Sequence, residues 1–179
     1  IYKGIASIKF CNSQIADEMY ELAQNNTYDN AVDCFVDVMN KTSINSRQMK
    51  ILITLGFFDQ FGRNKTLLDI HEMVDSLKDA KQINKDKISK LGLQEGIVKQ
   101  CAERETEKLY KDLDMLRCIK MHAKLLPDKS LSIKDQIGAE VEYLEYPLYT
   151  NPSISGNFYY VLEFKTYNDK TKPYLKLYN

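Results

Sequence analysis

Apolar residues recur at helical spacing through the first part of the chain and predict a run of amphipathic helices. Within each stripe the apolar positions are three or four residues apart, so they fall on one face of a helix and polar residues cover the other. Four such stripes are Ile15, Met19 and Leu22; Ala31, Phe35 and Val38; Met49, Leu52, Ile53 and Phe57; and Leu67, Ile70, Val74 and Leu77. The pattern therefore predicts four packed helices.

The boundaries of these helices carry their own signals. Asn45 precedes the third stripe, with Gln48 three residues later, which is the spacing of a capping box. A longer pattern covers residues 96–126 and predicts one long helix, with Leu109 and Leu113 on its buried face. On its other face, Glu107 and Lys111 are four residues apart and are expected to form a solvent-exposed pair.

The pattern changes after residue 132. Residues 158–166 and 174–178 alternate apolar and polar positions, and the turn-rich residues 151–157 and 168–171 precede and separate them. Such alternation between turn signals predicts a β-hairpin at the C-terminal end. Because a lone hairpin is marginally stable in water, we expect it to pack on the helices or to belong to a larger sheet.

Composition and charge narrow the function classes. The chain has 179 residues, with 25 Lys and Arg against 25 Asp and Glu, which gives a formal net charge of zero. This neutrality argues against a histone-like DNA coater, an acidic tail or an electrostatic membrane binder. No apolar run is long enough to span a bilayer, so we expect no membrane partner. The chain starts at Ile1 rather than Met and stops at Asn179, from which we expect a fragment of a longer polypeptide.

Cysteine and histidine give little sign of a catalytic or metal site. The four cysteines show no C-x-x-C spacing, so we expect buried, reduced thiols in a cytoplasmic protein, with no cofactor and no metal ligands in this chain. A Cys/His nucleophile pair formed in space stays open. His71 lies within the fourth stripe, and we expect a solvated or capping histidine there. The carboxylates are scattered on amphipathic faces, which disfavours a stand-alone nuclease.

Two short segments carry the candidate chemistry. Residues 4–16 (GIASIKFCNSQIA) have the layout of a hairpin followed by a helix, as in a helix-hairpin-helix element. There the backbone N–H groups at the helix start face a nucleic-acid phosphate, and the helix dipole adds positive potential. The candidate residues are Lys9, Asn12 and Ser13.

The second segment covers residues 46–68 and ends in a glycine turn before a new helix. Basic residues and free N–H groups coincide at that helix start, and the candidate residues are Arg47, Gly62, Arg63, Asn64 and Lys65. Contacts of this kind bind the phosphate backbone and do not read base sequence. The alternative is that both segments are ordinary helix–turn–helix corners with solvated charges.

These segments together resemble the tandem helix-hairpin-helix region of bacterial C-family replicative DNA polymerases, the DNA polymerase III alpha subunits. The resemblance rests on GIASIK at residues 4–9, FVDV at 35–38, LITLGFFD at 52–59 and FGRNKTLL at 61–68. The family shows IKG-x-G, F-x-D, LI-x-x-G-A-F-D and G-x-N-R in the same order. Phe10 and Asn12 stand where the family has glycines. Residues 140–152 (EVEYLEYPLYTNP) are similar to the family's E-x-E-x-L-G segment.

The resemblance implies a mostly α fold in three parts. Residues 1–80 would form the tandem helix-hairpin-helix bundle, residues 81–135 a helical extension that includes the long helix, and residues 136–179 a linker and β-hairpin that begin an oligonucleotide-binding (OB) barrel. It also implies a non-catalytic fragment of a DNA-directed DNA polymerase, a nucleotidyltransferase, that binds duplex DNA. The catalytic carboxylates and their Mg²⁺ would lie elsewhere in the parent chain. A sliding clamp or other replisome proteins would be its further partners.

Two rival interpretations remain at this point. One is a helical protein-interaction scaffold with degenerate hairpins that links the polymerase to its clamp or clamp loader. The other is a free-standing helical repair or recombination factor. Residues 1–66, which contain both hairpins, carry seven basic and seven acidic residues, so any DNA contact should be weak and limited to a few cations and oriented amides.

Overall fold

The computed structural model describes residues 4–148, 160–165 and 174–178. Within this part the chain is mostly helical, with a three-stranded antiparallel sheet inserted after the fourth helix. The helices are α1 (Ser13–Asn25), α2 (Ala31–Lys41), α3 (Ser46–Thr54), α4 (Asn64–Leu77), α5 (Lys85–Ile88), α6 (Glu95–Gln100), α7 (Met115–Ala123) and α8 (Ile133–Leu144). The strands are β1 (Gln82–Asn84), β2 (Ala102–Glu105), β3 (Leu109–Leu113), β4 (Tyr160–Lys165) and β5 (Tyr174–Tyr178).

The predicted stripes of α1 to α4 form the main hydrophobic core. Phe35, Leu52 and Leu67, one from each of α2, α3 and α4, have no exposed surface. The ring of Phe35 meets that of Phe58 edge to face, with 5.3 Å between the ring centroids. Burial of such large side chains is the main term that stabilises a helical bundle of this size.

Short polar side chains begin most of these helices, as the sequence pattern predicts for α3. The Asn45 side chain accepts a hydrogen bond from the N–H of Gln48, and the Gln48 side chain accepts one from the N–H of Asn45. This is a complete capping box, and it confirms the predicted start of α3. Asn30 begins α2 in the same way, because its side chain accepts from the N–H of Asp33.

The long helix predicted over residues 96–126 is wrong. In its place α6 ends at Gln100, and β2 and β3 form a hairpin before α7 begins at Met115. Leu109 and Leu113 instead lie in strand β3, since a spacing of four residues satisfies both the helical period and the strand alternation. Leu113 is buried there, whereas Leu109 is only half-buried. Glu107 lies in the hairpin turn and Lys111 in β3, so they are not a helical pair.

The three-stranded sheet has the order β1–β3–β2, with both pairings antiparallel. Thr106 closes the β2–β3 turn, because its backbone N–H donates to the carbonyl of Leu109 over 2.8 Å. Asp114 then begins α7 by accepting from the N–H of Arg117 over 3.0 Å. These two local bonds explain why the chain turns within the region predicted as continuous helix.

Helix α8 occupies much of the region predicted as a linker after residue 136, and it packs against the first hairpin. The carbonyl of Tyr143 accepts a hydrogen bond from the N–H of Lys9 over 3.0 Å. Further along, β4 and β5 pair in an antiparallel register. The predicted turns at residues 151–157 and 168–171 lie outside the described residues, so the hairpin and the OB barrel stay predictions. None of the helices described is long and apolar enough to cross a bilayer.

Candidate nucleic-acid interface

The first hairpin is a compact turn that ends at the start of α1. Ile8 is buried and anchors the turn, while Phe10 is the residue that adopts a left-handed conformation, with φ of 71°. A side chain with a β-carbon pays a cost of about 1–2 kcal/mol there. The carbonyl of Phe10 accepts a hydrogen bond from Nε2 of Gln48, 2.8 Å away, which ties the turn to α3.

Two cations from different segments meet at the Phe10 ring. Nζ of Lys9 lies 5.2 Å from the ring centroid, and Cζ of Arg47 lies 3.9 Å from it. Both are cation–π distances. Neither cation forms an ion pair within the part of the chain that the structure describes. The structure thus brings together Lys9 and Arg47, which the sequence assigned to separate segments.

Asn12 and Ser13 lie at the start of α1, directly after the hairpin that carries Lys9 and Phe10. Asn12 has an extended backbone, and its side chain accepts a hydrogen bond from the N–H of Ile15 over 2.9 Å. Its side chain is therefore a helix cap, and the left-handed position is taken by Phe10 instead. The backbone N–H groups of Asn12 and Ser13 have no acceptor among the described residues. The start of α1 leaves these two donors available.

The start of α4 is different, because the loop after α7 accepts hydrogen bonds from the N–H groups of Arg63 and Thr66. The N–H of Arg63 donates to a carboxylate oxygen of Asp128 over 2.8 Å, and the Arg63 guanidinium pairs with the second oxygen at 3.4 Å. Lys65 forms an ion pair with Asp69 one turn later. Gly62, with φ of 141°, lies under the same carboxylate, since a β-carbon there would stand 3.5 Å from Asp128. The charges at this helix start are thus neutralised within the chain.

Asn64 is buried, with 7% of its surface exposed, and all its hydrogen bonds lie within the chain. Its Nδ2 donates to the carbonyl of Thr54 over 3.3 Å and to Oε1 of Gln136 over 2.8 Å, while its Oδ1 accepts from the N–H of Leu131 over 2.8 Å. Gln136 in turn donates to buried Glu140. This chain of hydrogen bonds holds α3, α4 and α8 together, so Asn64 is placed to stabilise the fold.

A groove that the sequence pattern does not indicate runs along α3. It has a volume of about 440 Å³ and is lined by Ser46, Arg47, Lys50, Ile51, Thr54 and Tyr143. Lys50 lies one turn after Arg47 on the exposed face of α3, and this spacing was a readable signal in the sequence. Tyr143 comes from α8, more than 80 positions away, so no local pattern could have placed it there.

The cysteines are free thiols in the structure, and three of them are buried. Sγ of Cys118 lies 3.7 Å from Nδ1 of His122, but both ring nitrogens are engaged elsewhere: Nδ1 donates to the Cys118 carbonyl, and Nε2 accepts from the N–H of Gln94. Burial raises the pKa of the Cys118 thiol to about 12. This pair therefore has neither a thiolate nor a free base. No cluster of three metal-ligating side chains occurs among the described residues.

The expectation of a solvated or capping His71 is wrong. His71 is fully buried in α4, its ring lies 6.1 Å from that of Phe35, and neither ring nitrogen has a hydrogen-bond partner among the described residues. Burial lowers the pKa of this imidazole, and Lys50 lowers it further, while Asp75 and Glu72 act in the opposite direction. The fold thus keeps His71 in its neutral form.

Replacing His71 with leucine is expected to raise the free energy of unfolding at neutral pH by about 1 kcal/mol, because two unpaired buried nitrogens are removed. The folded-state pKa of His71 lies below its ordinary value of 6.5. The wild type therefore loses stability as the pH falls below that value and the unfolded chain takes up a proton. Urea denaturation between about pH 8 and pH 5 should show a smaller loss in His71→Leu. Parallel curves for the two proteins would refute this assignment.

The chain matches no protein-family model, and no curated protein or solved structure is significantly similar to it. A proposal for the function of this chain therefore depends on the geometry of the described residues.

Proposed function

We propose that this chain is a non-catalytic part of a replicative DNA polymerase of the C family and that it holds duplex DNA through backbone phosphates. The observation that carries the proposal is that two cations without an ion-pair partner and two backbone N–H groups without an acceptor, among the described residues, both occur at the first hairpin. Lys9 and Arg47 lie against one exposed ring without an ion-pair partner among the described residues. The N–H groups of Asn12 and Ser13, which have no acceptor among the described residues, begin α1 directly after the same hairpin.

Physical chemistry favours an anion at this place. The first N–H groups of a helix have no intrahelical acceptor, and the aligned peptide dipoles add positive potential at the same end. A phosphate oxygen satisfies both, and nearby Lys and Arg side chains supply the counter-charge. Helix α1 has 13 residues, so its dipole is well developed.

The left-handed conformation of Phe10 supports the link to the polymerase family. The family motif IKG-x-G has its first glycine at this position, and φ of 71° at Phe10 is a conformation that glycine adopts without strain. A positive φ at this position is compatible with the motif, although Phe10 stands there and Asn12, at the second glycine position, is extended. The polymerase activity itself, with its carboxylates and Mg²⁺, is assigned in this proposal to other parts of the parent chain.

We expect a low affinity for duplex DNA, because the rest of the chain adds no net positive charge. The chain has a formal net charge of zero. Only the few cations at the interface then release counterions from DNA, so the affinity depends on two or three phosphate contacts. The rest of the polymerase would supply most of the affinity for the primer–template duplex.

A salt titration of a short duplex against the 179-residue chain tests the proposal. Fluorescence anisotropy of a labelled duplex should give an association constant that falls with salt, with a log–log slope of about −2 for two phosphate contacts. Two duplexes of unrelated sequence should bind equally, since phosphate contacts carry no base information. The absence of binding at the lowest salt would rule out the duplex grip for this chain.

The alternative function, a protein-interaction scaffold for the clamp or clamp loader, is favoured by the covered start of α4. There Asp128 occupies the amide and the guanidinium of Arg63 that a second phosphate contact would need. Titration with a purified sliding clamp in place of DNA separates the two functions. Clamp binding without any duplex binding would favour the scaffold.

A further inference from the structure

The groove along α3 extends beyond the first hairpin, so a phosphate bound at that hairpin would leave part of the groove empty. Its long wall is the exposed face of α3 from Ser46 to Thr54, which at about 1.5 Å per residue extends roughly 12 Å. Tyr143, from α8, and buried Ile51 also line the groove. The groove begins where Arg47 stacks on Phe10, so it is continuous with the first hairpin.

The charge of the groove favours an anionic ligand. Its lining contains two cations, Arg47 and Lys50, and no acidic residue. Neither cation forms an ion pair within the described part of the chain. Asp75 lies near the rim but accepts a hydrogen bond from the Ser46 hydroxyl over 2.8 Å. A phosphate between Arg47 and Lys50 would be held by a bidentate donor and a point charge.

The aromatic wall favours a ligand with a flat face beside its phosphate. The Tyr143 ring contacts Phe10 edge to face, with centroids 6.4 Å apart, and is half-buried. One face of a tyrosine in such a wall can stack on a base, which is how proteins hold single strands without reading sequence. An acidic peptide would use the two cations but would leave the ring without a stacking partner.

We infer that the α3 groove binds one unpaired nucleotide of a nucleic-acid strand, with its phosphate at Arg47 and Lys50 and its base on Tyr143. A groove of about 440 Å³ is in the size range of sites for single small molecules. The inference rests on the proposed function, because the strand in the groove would continue from the duplex held at the first hairpin. The substrate class is then a duplex with a single-stranded extension.

The test compares a blunt duplex, the same duplex with a short oligothymidylate extension, and free oligothymidylate. The wild-type chain should bind the extended duplex about tenfold more tightly than the blunt one, as expected for one stacked base with its phosphate. Tyr143→Leu keeps an apolar side chain against Phe10 and should lose most of this gain. Lys50→Ala should lose part of it, whereas Lys87→Ala, an exposed lysine of α5, should lose none.

The outcomes separate this inference from the proposed function. Equal binding of blunt and extended duplex by the wild type would overturn the groove assignment and leave the duplex grip intact. Binding of oligothymidylate that Tyr143→Leu weakens, with no binding of blunt duplex, would support the groove and refute the duplex grip. A gain that survives in Tyr143→Leu with an unchanged melting temperature would also overturn the inference.

Discussion

Replacing Asn64 with alanine should lower the free energy of unfolding by about 2–4 kcal/mol, the range for breaking a buried hydrogen-bond network. The Asn64 side chain is almost fully buried and bonds to Thr54, Gln136 and Leu131. Alanine leaves the N–H of Leu131 without its acceptor and removes the donor from the carbonyl of Thr54. Both partly buried groups then lose a hydrogen-bond partner, and the truncated side chain also leaves Gln136 without its donor.

Urea denaturation followed by circular dichroism measures this loss. Asn25→Ala is the matched control, because Asn25 is exposed at the end of α1 and its amide bonds only to the carbonyl of Glu21 in the same helix. The control should change the unfolding free energy by no more than about 0.5 kcal/mol. A similar small change in Asn64→Ala would show that the network joining α3, α4 and α8 does not stabilise the fold.

Replacing both Lys9 and Arg47 with alanine should lower the affinity for duplex DNA about tenfold or more at low salt. The magnitude of the slope of log affinity against log salt should decrease by about two. These are the two cations at the first hairpin that have no ion-pair partner in the described part of the chain. Each is therefore available to neutralise a phosphate. Most of the measured affinity depends on them, because the chain carries no net charge.

The matched control is the double variant of Arg63 and Lys65 to alanine, which removes the same charge from α4. Those two side chains form surface ion pairs with Asp128 and Asp69. Because their charges are already balanced by these carboxylates, their loss should change the affinity for duplex DNA less than about threefold. Anisotropy titrations of the two double variants at matched salt decide the matter, with melting temperatures to verify folding. A larger loss of duplex affinity in the control variant than in the Lys9 and Arg47 variant would indicate that DNA contacts the start of α4 instead.

The first four helices could be predicted from the sequence because their signals are local. Apolar stripes at helical spacing set the buried faces, and Asn45 with Gln48 forms the predicted capping box. The region after α6 could not, because Leu109 and Leu113 are four residues apart, a spacing that suits a helix and a strand equally. The choice between them depends on the pairing of β3 with β1 and β2, which is a contact between distant segments.

The candidate site was predictable only in part, for the same reason. Lys9 and Arg47 were identifiable as cations near helix starts, but their meeting at Phe10 depends on the way α3 packs beside the first hairpin. Asn64 had the polarity and the position of a DNA-contacting residue. Its burial depends on the loop after α7 and on α8, more than 60 positions away, which no local pattern indicates.

The most direct test of the account is an amide nuclear magnetic resonance titration of the isotope-labelled chain with a short duplex. The largest shift changes should fall on the backbone amides of Asn12 and Ser13, with smaller ones at Lys9 and Arg47, and added salt should reverse them. The amide of Arg63 should barely move, since it already donates to the Asp128 carboxylate. Shifts confined to Arg63 and Lys65, with none at Asn12 and Ser13, would contradict the assignment of the DNA contact to the first hairpin.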